Sequence, residues 1–132
     1  MPKPSPDLPA GLDDRPPAYT VRMHGVSIGF SSLSEADAAS RVARGDFRAG
    51  LGFELVQPIF RLYAEAMPRG ASEPNDRAKL QRFQRARQAL ALELVSPAGR
   101  VLETESILIL DYDDGRELEA SISDPKFWEN QS

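Results

Sequence analysis

The 132-residue chain contains no cysteine and one histidine, His24. Without thiols it has no disulfide, thiolate metal site or cysteine nucleophile, and a single imidazole excludes a cluster of histidine ligands. The missing cysteine suits a reducing compartment, so cytoplasm is the expected location. No apolar run approaches the ~20 residues that span a bilayer. The start, Met1 to Pro17, lacks the basic-then-apolar order of a secretory signal. The expectation is a soluble protein with no membrane contact. No spacing of Ser, His and Asp suggests a nucleophilic triad, and no internal repeat is visible.

What is present is the balance of a globular chain: 41% hydrophobic and 27% charged residues. Charge is unevenly spread. Residues 93 to 132 carry ten acids against three bases, whereas the whole chain is only at −4, so the first 92 residues are net basic. Six of the eleven prolines fall within Met1 to Pro17, a segment with almost nothing apolar to bury. That composition predicts a disordered, dispensable tail at 1–17, followed by one folded domain over 18–132.

Hydrophobic periodicity supplies the elements. Tyr19, Val21 and Met23, then Val26, Ile28 and Phe30, alternate with other residues on either side of His24-Gly25, which marks a hairpin. Ser34, with Asp37 three positions on, offers a helix start, but Ala36 to Arg44 has only Val42 as a large apolar residue. A short helix and a loop are both open there. From Glu54 the pattern turns helical. Leu55, Val56, Ile59, Phe60, Leu62, Tyr63 and Ala66 share one stripe, and Glu54, Gln57, Arg61 and Glu65 lie opposite. Pro58 fits best as a first helical residue, giving a helix at Pro58 to Ala66 with Ile59, Phe60 and Tyr63 in the core. Arg77 to Ala86 reads as a second helix with a narrow apolar side of Leu80, Phe83 and Ala86, ending before Arg87 would enter that side. Strands follow: Leu90 to Leu94, a turn at Pro97-Ala98-Gly99, a return at Val101, then a hairpin turning at Asp113-Asp114-Gly115. The uninterrupted Ile107 to Leu110 suggests a central strand covered on both faces. The fold expected is α+β, a mostly antiparallel sheet of four to six strands with one or two packed helices.

Several patterns echo known chemistry and fail on spacing. Asp111, Asp113, Asp114 and Gly115 resemble a calcium loop, but Ile122 stands where the bidentate Glu belongs, and turn formation explains the residues. Gly50 and Gly52 precede the strong helix without the third glycine or the Lys-Ser/Thr of a phosphate site, so they read as a tight helix entry. Arg44-Gly45-Asp46 is taken as a chance tripeptide. Phe127 and Trp128 read as an anchor for the C-terminus. No catalytic, cofactor or metal residue is assigned.

Arg77, Lys79, Arg82, Arg85 and Arg87 form the one basic cluster. On a helix, Arg77, Arg82 and Arg85 share the polar side with Gln81, Gln84 and Gln88. They are the candidate partner-binding residues, and an acidic protein is the partner expected. Nucleic acid is disfavoured because the chain is acidic and no aromatics interleave to stack bases. The leading functional class is a non-catalytic interaction or regulatory module. The rival is a small enzyme or ligand-binding domain with scattered Asp, Glu, Arg and Tyr in a pocket.

Overall fold

The structure, a computed structural model, describes residues 18–69 and 75–129. The tail expected at 1–17 lies outside the described residues. Within them, nine strands and three helices follow one another. These are β1 (Tyr19–Met23), β2 (Val26–Ser31), β3 (Glu35–Asp37), β4 (Val42–Asp46), β5 (Arg48–Ala49), α1 (Phe53–Ala66), α2 (Arg77–Gln88), β6 (Leu92–Val95), β7 (Val101–Leu102), β8 (Thr104–Tyr112), β9 (Gly115–Ile122) and α3 (Pro125–Glu129). The fold is α+β, as expected, and every pairing is antiparallel. The strands divide into two sheets, ordered β5-β2-β1-β6-β7 and β3-β4-β9-β8.

The two hairpins read from the sequence are present. His24 (φ 51°) and Gly25 (φ 81°) turn β1 into β2 with two left-handed residues, the conformation that matches the twist of the flanking strands. Asp113-Asp114 joins β8 to β9, with Tyr112 opposite Gly115 and Asp111 opposite Arg116. Gly29 has another role: a side chain there would enter the Phe47 ring, so the bare backbone lets that aromatic close over β2.

Four expectations need correction. The segment after Ser34 is neither helix nor loop but the edge hairpin β3–β4, in which β4 pairs along β9 and buries Ala43. Asp37 accepts from the Ala39 N–H at 3.0 Å, so it closes a turn instead of supporting a helix start. The first helix begins at Phe53, five residues before Pro58. Pro58 has no N–H to donate to the Glu54 carbonyl, and burial of Phe53 and Val56 offsets the loss. The second helix continues to Gln88 because Arg87 lays its guanidinium 5.2 Å from the Phe83 ring centre, so it covers the apolar side without burying its charge. Finally, β8 is covered as expected, with Ile107, Leu108 and Ile109 buried, but it is an edge strand; α1 packs across it.

One buried cluster joins both sheets and the helices, with Val21, Ile28, Phe60, Phe83, Leu94, Ile109, Leu118 and Ile122 at its centre. Phe60 and Tyr63 of α1 meet Phe83 of α2 at ring separations of 5.7 and 5.1 Å. The aromatic end behaves as an anchor. Phe127 is buried against Tyr19, and the Trp128 indole N–H donates to the Ile122 carbonyl at 2.7 Å.

Candidate interaction surface and polar cleft

Helix α2 packs on α1 through Phe83 and the half-buried Leu80. Asp76 caps it by accepting from the Lys79 N–H at 3.1 Å, Phe83 is its one buried side chain, and Lys79 Nζ reaches Glu65 of α1 at 3.1 Å. The sequence of α2 contains five bases and no acid. Arg77, Arg82 and Arg85 are all exposed, and among the described residues none of them has an ion pair or side-chain hydrogen bond. The structure thus leaves each of the three candidates in solvent. Apart from Arg41 and Arg87, every other arginine of the described residues reaches a carboxylate: Arg22 to Glu93, Arg44 to Glu119, Arg48 to Asp46, Arg61 to Asp113, Arg69 to Asp114 and Glu117, Arg100 to Asp124 and Arg116 to Asp111. The pairs Arg44–Glu119 and Asp46–Ser32 also occupy the ends of the Arg44-Gly45-Asp46 tripeptide.

The glycines before α1 do no anion chemistry here. The Gly50 and Gly52 N–H groups donate to the Ile28 and Ser27 carbonyls at 2.8 and 2.9 Å, so they tie the helix entry to β2. Beside them Leu51 is 99% exposed and Leu55 61% exposed, a small apolar patch at the helix start.

A second feature was not anticipated as a site. Along the edge of α1 that carries Gln57 and Arg61, an open cleft of about 480 Å³ is lined by those two residues with Phe47, Asp111, Tyr112, Asp113, Gly115 and Arg116. Asp111 is its centre. Its side chain is only 4% exposed; Oδ1 accepts from Arg116 Nε at 3.0 Å and Oδ2 from Gln57 Nε2 at 3.2 Å. Arg61 spans the rim, donating to the Asp111 carbonyl at 3.1 Å and to Asp113 Oδ1 at 3.3 Å. Tyr112 donates to the Met67 carbonyl at 2.7 Å beneath the Arg69 guanidinium, and burial is the main cause pushing its hydroxyl above the ordinary tyrosine range. The three aspartates of the calcium-like segment are therefore engaged with arginines, and Asp111 points inward while Asp113 is almost wholly in solvent. Elsewhere, hydrogen bonding from Arg100, then from the Glu103 N–H, holds the Asp124 carboxyl below its usual range and secures the β9–α3 junction.

The cleft had a sequence signal. An acid following the apolar run Ile107 to Leu110 and an arginine across the short turn are placed to face each other once Asp113-Asp114 is read as the turn. Gln57 and Arg61 had none, because their positions depend on the phase of α1. No protein-family model, curated protein or solved structure matches this chain. No helix of the described residues is long and apolar enough to cross a membrane.

Proposed function

We propose that the chain is a non-catalytic interaction module that meets an acidic protein partner through Arg77, Arg82 and Arg85 on α2. The observation that supports this reading is the contrast in pairing: these three guanidiniums stand free on a helix without acids, while most other arginines are committed to carboxylates. A purely solvated face would be served equally by mixed charges, which stabilise a helix through i, i+4 pairs. Arg85, in the last turn, also complements the helix dipole, a contribution that needs no partner. Arg77 at the first turn is on the unfavourable side of that dipole, so helix stability does not account for it.

An acidic protein suits the strip better than nucleic acid. The neighbouring C-terminal half is strongly acidic, and three phosphate contacts alone give binding that fades quickly with salt. The test is the triple change Arg77→Glu, Arg82→Glu, Arg85→Glu in the full chain. Titration with a labelled glutamate-rich peptide, and recovery of the main protein captured from native extract, should both weaken at least about tenfold, or ~1.4 kcal/mol. The melting curve should move little, since all three side chains are exposed. Unchanged peptide binding and recovery by the folded triple variant would reduce the strip to a solvated face. Sequence-selective oligonucleotide binding at ~0.15 M salt would replace the acidic protein with nucleic acid.

A further inference from the structure

We propose that the cleft between α1 and the β8–β9 hairpin is a binding site for a small monoanion, a planar carboxylate. The inference stands apart from the α2 strip and does not depend on it. Two guanidiniums line the cleft, and each is fixed in place by the fold. Arg116 is gripped at Nε by Asp111 and lies over the Phe53 ring, 4.8 Å from its centre. That grip leaves its two terminal amino groups without a partner among the described residues. Arg61 is aligned by the Asp111 carbonyl. A planar carboxylate matches such a fork with parallel, charge-assisted hydrogen bonds, and preset donors lose less side-chain freedom on binding.

Charge decides the class of ligand. Asp111 is buried, its Arg116 partner is partly exposed, and their ion pair offsets one of the two guanidiniums. Asp113, which answers Arg61, has a side chain 95% exposed, so its ion pair is screened by water and is exchanged at little cost. The charges of the cleft thus balance at rest, and a ligand that takes the place of Asp113 on Arg61 meets one positive charge. A phosphoryl dianion would bring a second negative charge up to Asp111 and Asp113. Phe47 is the one wholly apolar side chain of an otherwise polar lining, so recognition falls to the carboxylate, and the volume of about 480 Å³ falls in the range of small-molecule sites.

The test uses the full chain, benzoate as probe and benzamide as its neutral counterpart of nearly the same shape, followed by the shifts of backbone amides. Benzoate should give saturable shifts at Arg61, Asp111 and Arg116, and the Arg77/Arg82/Arg85 triple variant should bind it unchanged. Benzamide should bind at least about tenfold more weakly, for want of the charged acceptor. Arg116→Lys keeps the charge but removes the fork, and should also weaken benzoate about tenfold. Asp113→Asn removes the competing carboxylate at an exposed turn, and should tighten benzoate by about two- to fivefold. A gain of affinity cannot come from damage to the fold, so this variant keeps the test decisive if Arg116→Lys unfolds. Equal binding of benzoate and benzamide, no tightening by Asp113→Asn, or inorganic phosphate binding more tightly than benzoate would each overturn the assignment.

Discussion

Helices α1 and α2 lie against each other, yet they are built on different principles. α1 buries Phe53, Val56, Phe60, Ala64 and Ala66 and uses its polar edge to hold the β8–β9 hairpin through Gln57 and Arg61. α2 buries only Phe83 and leaves three arginines free. One helix spends its side chains on the fold; the other is fixed by Phe83 under Arg87, the half-buried Leu80, a cap and one ion pair. A helix that contributes so little packing keeps its surface chemistry open to change without loss of the fold, which is where a binding face is most cheaply carried.

The same contrast explains what could be read in advance. Period-two alternation and turn residues identified both hairpins, because register and turn chemistry are local properties of Tyr19 to Phe30 and of Ile107 to Ile122. The basic face of α2 was legible for a similar reason: no tertiary contact overrides the positions of Arg77, Arg82 and Arg85. The face of α1 was not. Starting the helix at Phe53 and seating Ala64 inward rotates the buried stripe by roughly a quarter turn from the one that Leu55, Ile59 and Leu62 suggested, at ~100° per residue. Leu55 is left in solvent, Ile59 and Tyr63 become the half-buried flank, with Tyr63 meeting Phe83 of α2, and Gln57 and Arg61 swing over the hairpin. That rotation builds the polar cleft, so the cleft was hidden by the same tertiary choice. The β3–β4 hairpin was missed because its strands have little apolar pattern of their own and take their conformation from pairing with β9.

The comparison of the helices breaks first at Phe60, where the largest effect is expected. Phe60 is fully buried and touches Phe83, so Phe60→Ala opens a cavity on both helices at once. Urea unfolding should show a loss of about 3–5 kcal/mol. A loss under ~1 kcal/mol would mean that α1 is as lightly packed as α2. Arg61→Ala should rank next, costing about 1 kcal/mol for its bond to the Asp111 carbonyl, with the exposed contact to Asp113 adding little. An indistinguishable midpoint would return Arg61 to the solvated face that the sequence pattern assigned to it.

The smallest effect sharpens the comparison most, because it tests the rotation itself. Leu55 belongs to the apolar stripe by sequence but is 61% exposed at the first turn of α1, beside Leu51, which is almost wholly in solvent. If the stripe were centred where periodicity puts it, Leu55→Gln would bury an amide against the sheet and cost several kcal/mol for the unpaired polar group. With the stripe rotated, glutamine meets water, its helix propensity is close to that of leucine, and little contact is lost. Unfolding in urea should then shift by no more than about 0.5 kcal/mol, the range of ordinary surface changes. Solubility gives an independent reading. Shortening the exposed apolar patch should leave the protein equally or more soluble, whereas misplacing a buried residue would promote aggregation through exposed core surface. A cost comparable to that of Phe60→Ala would restore the unrotated stripe and withdraw Gln57 and Arg61 from the cleft. The carboxylate site would then lose one of its two guanidiniums.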